Sequence, residues 1–163
     1  LYNLLCRLVF VELTVGRGHL KINNLDSILS FVSPNLAIID SKSICGIEHL
    51  RQAASLSLSS HKNGFNLSKD KSTEVLLFLT AQRQISKALK LAGVNKKTKS
   101  VGWVLYGDDS SNLTEIIKED NSVLSISNYD FSNLASDIDI NFDDKLKQKI
   151  IMTRTATLPV QPR

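Results

Sequence analysis

Cys45 and His49 stand four residues apart, one turn of a helix, close enough for a thiol and an imidazole to meet. Such a pair could make a thiolate nucleophile or give a metal two of its ligands. A thiolate mechanism also needs an orienting acid and an oxyanion site, and nothing in the sequence supplies either. Zinc needs three or four ligands, whereas no two of the histidines His19, His49 and His61 lie within five residues of each other. Gly16-Arg17-Gly18 has only the first two glycines of a dinucleotide loop, and no Gly-Lys-Ser/Thr occurs. Asp137, Asp139 and Asn141 imitate the first half of a calcium loop, but Phe142 replaces its glycine and Gln148 its closing glutamate. No metal and no cofactor is expected. Cys45 reads as a small core residue, and a small cysteine-dependent enzyme using Cys45 and His49 stays as the alternative.

The pattern that stands out is basic. From His61 to Lys99 the chain carries nine Lys or Arg against Asp70 and Glu74, and no acid interrupts from Arg83 to Lys99. The spacing predicts a helix over residues 82–92, with Ile85, Ala88, Leu89 and Ala92 on one apolar stripe and Gly93 as a left-handed C-cap. At 100° per residue Arg83, Lys87 and Lys90 fall on the opposite face. Lys96, Lys97 and Lys99 extend that face into the exit loop. A single-signed face with no acid four residues on to neutralise it suits a polyanion.

The run Glu74-Val75-Leu76-Leu77-Phe78-Leu79-Thr80 reads as the buried strand that anchors this helix. Before it come a long strand over residues 2–15, whole or broken near Gly18, a short helix at 25–32 ended by Pro34, and a buried strand at 36–39. The cluster Asp40-Ser41-Lys42-Ser43 can cap a helix over 44–60, and residues 61–72 read as a polar loop. After the basic helix follow a buried strand at 101–106, a turn at Gly107-Asp108-Asp109, a short helix at 112–119 and an edge strand at 122–126. A helical stretch at 129–135 and a last helix from Asp143 to about residue 156 complete the chain, closed by Pro159 and Pro162. Strands alternating with helices predict an α/β fold, a mixed β-sheet covered by helices, in a single domain over 1–163.

The chain has 163 residues, a net charge of +4 and 42% hydrophobic content, ordinary for a globular protein. No apolar run reaches bilayer length. Two cysteines, Cys6 and Cys45, without a secretory signal predict free buried thiols and a cytoplasmic location. Charge is unevenly spread: residues 105–144 hold ten acids against Lys118 alone. One surface therefore suits an anionic partner and another something else.

Several segments together resemble a known family. They are Ile39-Asp40, Gly46-Ile47-Glu48-His49-Leu50-Arg51-Gln52-Ala53, residues 73–85 ending in Arg83-Gln84-Ile85, Ala88, and Gly93-Val94. In this order they are similar to the Cgi/TPRKB-like subunit of the KEOPS (EKC) complex, which makes threonylcarbamoyladenosine in tRNA. The similarity is clear over about residues 36–106, and Arg83-Gln84-Ile85 is its most specific piece. Ala81 departs from the glycine the family often has. The resemblance implies an α/β fold without catalytic activity of its own, binding to the kinase-like ATPase subunit, and a hold on the tRNA 3′ CCA end. Carried over, Arg83, Gln84 and Ile85 would lie at the RNA site. The basic pattern adds Lys87 and Lys90, with Lys69 or Lys71 from the preceding loop. Helical geometry gives Ile85 a core reading as well. By chain position the last helix would meet the kinase, with Ile150, Ile151 and Leu158 as its apolar candidates. Its apolar residues and Pro-bearing end predict that deleting from Met152 onward leaves a folded domain that no longer binds its protein partner. A kinase-binding scaffold with no RNA contact is a second alternative.

Overall fold

The computed structural model describes residues 13–107 and 112–160. Cys6, the expected strand before Leu13, the Asp108-Asp109 turn and Pro162 lie outside the described residues.

Four strands form one sheet in the order β2-β3-β1-β4: β1 Leu13–Leu20, β2 Leu36–Asp40, β3 Ser100–Tyr106 and β4 Ile117–Glu119. The α/β class is as expected, but every pairing among the described strands is antiparallel, so the sheet is not mixed. β1 runs unbroken through Gly16 and Gly18. A Cβ at Gly16 would fall on the Trp103 indole across the ladder, so the glycine is there for close approach rather than for phosphate. The expected edge strand at 122–126 is absent. The edge is β4, inside the stretch read as helix, because Ile117 buries beside the sheet while Leu124 turns the chain at φ 74°.

One face of the sheet carries Ala37, Ile39, Val104 and Tyr106 against three helices: α2 Ile47–Asn63, α3 Lys71–Thr80 and α4 Ile85–Ala92. The other face carries Ile38, Val101 and Trp103 under α1 Leu25–Leu29 and α5 Leu113–Ile116. Asn24 caps α1 by accepting from the Ser27 N–H. A third, smaller core joins Cys45, Tyr129, Ala135 and Ile151, linking α6 Phe131–Leu134 to α7 Asp144–Thr157. Asp143 caps α7 through the Leu146 N–H at 2.8 Å.

The largest correction concerns residues 74–80, which are not a strand but the bulk of α3, buried throughout. A continuous apolar run is compatible with either element. Here Asp70 opens a helix whose every side meets protein: α2, α4, β2 and α7 all pack against it. Glu74 is itself fully buried, and its carboxylate accepts from the Leu67 and Ser68 N–H groups and the Ser60 hydroxyl. It ties the loop that carries Lys69 to α3.

α3 ends at Ala81, which sits in the left-handed region at φ 49°, ψ 39°. This is the position where the resembled family often has glycine, and a Cβ there costs about 1 kcal/mol. Replacing Ala81 by Gly is therefore expected to raise the unfolding free energy by up to about 1 kcal/mol, read from urea denaturation. An unchanged or lower midpoint would show that the turn imposes no strain.

Candidate functional site

α4 is shorter than the spacing predicts. It starts at Ile85, with Gln84 at its N-cap, so Arg83 precedes the helix rather than lying on its basic face. The Arg83 guanidinium instead donates to the Leu158 carbonyl at 3.1 Å, tying the α3–α4 turn to the end of α7. Gly93 is extended at φ −67°, not left-handed, and it bridges to Ile39 of the edge strand β2.

The apolar stripe of α4 divides by size. Ala88 and Ala92 are fully buried, because small side chains let α4 approach closely. Ile85 and Leu89 remain 39% and 48% exposed. Ile85 is thus a surface residue rather than a core one, and Gln84, Lys87 and Lys90 are exposed around it. Leu89 borders an apolar groove of about 240 Å³ lined by Leu29, Val32, Ile38, Leu76 and Val94. Lys90 and Lys97 line a polar cleft of about 300 Å³ together with Lys42, Asn95, Asp130 and Asn133. Lys42 was not foreseen among the basic residues. It comes from the 3₁₀ turn Ser41–Ser43 after β2, where Asp40 accepts from its N–H, and its only signal was the capping cluster. Lys69 is exposed in the loop before α3. One short helix therefore places Leu89 at an apolar groove and Lys90 at a polar cleft. Unpaired bases stack on apolar or planar surfaces while phosphates seek cations, which is the pairing a single strand needs.

Cys45 and His49 do come together, but as structure. Nδ1 of His49 accepts the Cys45 N–H at 3.0 Å, which leaves Nε2–H to donate to Thr155 Oγ1 at 3.0 Å. The Thr155 hydroxyl donates onward to the Phe78 carbonyl at 3.0 Å. Both imidazole nitrogens are engaged with partners other than the thiol. Burial pushes His49 down to about 4 and, with Asp144 nearby, pushes the Cys45 thiol up to about 12. A neutral thiol beside an occupied, neutral imidazole is the reverse of an activated pair. Among the described residues no group of three or more His, Cys, Asp or Glu could hold a metal. Asp137 of the calcium-like stretch is instead clasped by Arg154, at 3.0 and 2.7 Å.

The residues expected to meet a protein partner are mostly inside. Ile151 packs in the third core and Leu158 in the main one, and Ile150 is half-buried. With Thr155 also buried, the stretch after Met152 contributes two side chains to the packed interior.

Sequence comparison decides the family. The family model described as kinase binding protein CGI-121 matches residues 21–150. The chain belongs to the CGI-121 family. The match begins just after β1 and runs through α4 to the first half of α7, so it covers both clefts beside α4. None of the curated proteins compared with the chain matches it. CGI-121 proteins are described as kinase-binding, and no described helix here is long and apolar enough to cross a membrane.

Proposed function

We propose that the protein is a non-catalytic accessory subunit of the KEOPS complex, working in the cytoplasm to support threonylcarbamoyladenosine modification of tRNA. It binds the kinase-like ATPase subunit and the tRNA 3′ CCA end. Membership of a kinase-binding family supports the protein half of this reading. The observation that carries the RNA half is α4, which exposes both apolar Ile85 and Leu89 and basic Lys87 and Lys90. Gln84 and Ile85 take a base edge and its face, and Lys87, Lys90 and Lys69 take phosphates. Arg83 acts from the turn, holding α4 against the end of α7. Of Ile150, Ile151 and Leu158, Ile150 alone is open enough to touch a partner.

Filter binding tests the RNA half directly. Each base stacked on a side chain contributes about 1–3 kcal/mol, so trimming CCA from tRNA should weaken binding at least about tenfold. Equal affinity for intact and trimmed tRNA would overturn the CCA assignment. Kinase binding with no tRNA binding at all would leave a kinase-binding scaffold without RNA contact.

A further inference from the structure

The region between β4 and α7 carries a second surface of opposite character. From Glu119 to Asp144 there are seven acids and no Lys or Arg. Within this stretch α6 and the loop that follows enclose a cleft of about 380 Å³, lined chiefly by Phe131, Ala135, Ile138 and Ile140. Ile140 is 83% exposed, and Phe142 and Leu146, at the entry to α7, are each more than a third exposed. Contiguous apolar side chains left in water mark a surface that another molecule covers.

The rim says which kind of molecule. Asp137 is already neutralised by Arg154. Among the described residues Asp139 accepts only from the Asn141 N–H, and Asp143 caps α7 with one oxygen. Among the described residues Asp139, Asp143 and Asp144 form no ion pair. Among the described residues Lys147 is the cation lining the cleft, 5.7 Å over the Phe131 ring, and Lys145 stands exposed beside Leu146. The surface is apolar at its centre and acidic at its edge. It repels nucleic acid and selects a protein surface with basic side chains around an apolar knob.

We propose that this patch, centred on Ile140, docks the kinase-like subunit through such a basic-rimmed apolar surface. The inference rests on the kinase-binding reading above. It also moves the docking site from the C-terminal end of α7, where Ile151 and Leu158 are buried, to the N-terminal end and the loop before it.

Calorimetry with the purified kinase-like subunit tests it. Ile140→Asp should raise the dissociation constant at least about tenfold, as removal of a central apolar anchor does. Asp139→Lys combined with Asp144→Lys should also weaken binding, and the loss should shrink as salt screens the rim. Phe65→Asp, at an exposed apolar residue on the α2–α3 loop, should change nothing. All three variants should keep the wild-type circular dichroism, since the substituted side chains are exposed. If wild type binds the kinase and both rim and centre variants bind equally well, the patch is not the docking site, while the functional reading stands. If wild type does not bind the kinase, both fall. If sedimentation shows a wild-type dimer that Ile140→Asp dissociates, the patch pairs two copies of this chain and the proposal is overturned.

Discussion

Acidification from pH 7 to pH 4.5 lowers the unfolding free energy by about 2 kcal/mol through His49 alone. The imidazole is fully buried, linked to α7 through Thr155 and to the β2–α2 connection through the Cys45 N–H, and burial holds it at about 4 against an ordinary 6.5. Between those two values the unfolded chain takes up a proton that the folded chain refuses. Stability therefore rises with pH through this window and falls as the medium is acidified. The whole gap of roughly 2.5 units corresponds to about 3 kcal/mol at 1.36 kcal/mol per unit, and about 2 kcal/mol of it is lost between pH 7 and pH 4.5. The urea midpoint should be lower at pH 4.5 than at pH 7. His49→Gln should abolish most of the difference while lowering stability at pH 7, because the Cys45 N–H and Thr155 lose a well-placed partner. Equal midpoints for wild type at the two pH values would show that the imidazole is charged in the fold or open to water.

That role could not be read from the sequence, for a physical reason. Four-residue spacing correctly brings Cys45 to His49, but Thr155, 106 residues further on, decides what the ring does. Local spacing likewise located β2, β3, α1 and α7, whose boundaries are set by Pro34, Gly107, Asn24 and Asp143 near the ends of the elements. It failed at α3, where seven buried residues in a row carry no periodicity, so only the neighbours could distinguish helix from strand. At α4 the stripe was legible but its burial was not. Ala88 and Ala92 go in and Ile85 and Leu89 stay out because α3 packs close to the small residues. The resemblance that placed Ile85 at an RNA site agrees with this exposure better than helical geometry alone did. Lys42 shows the converse limit. It reaches the cleft of Lys90 and Lys97 through tertiary proximity across more than forty residues of chain, and no charge run along the sequence includes it.

Replacing Lys87, Lys90 and Lys97 together by Glu weakens tRNA binding by about two orders of magnitude near 50 mM salt. Arg83 is left in place, because its guanidinium donates to the Leu158 carbonyl and its loss would loosen the end of α7 as well as the RNA face. The three lysines are exposed and none caps or packs the core, so the fold should change by no more than about 0.5 kcal/mol per site. Each exposed ammonium–phosphate contact contributes about 1 kcal/mol net, and three of them make about a hundredfold. Salt dependence separates a real interface from nonspecific loss. For single-stranded RNA the log–log slope is about −0.7 per phosphate contact, so removing three contacts flattens it by about two units. Titrating wild type and variant with the same tRNA from 50 to 200 mM salt gives both quantities in one experiment. The variant should lose affinity mostly at low salt, and the two curves should converge as salt rises. A variant that binds with wild-type affinity and slope would mean that this basic surface is merely solvated, and the RNA half of the proposed function would be lost. A variant that loses affinity without a change in slope would place the lost contacts on bases rather than phosphates, shifting the weight of recognition to Gln84, Ile85 and Leu89.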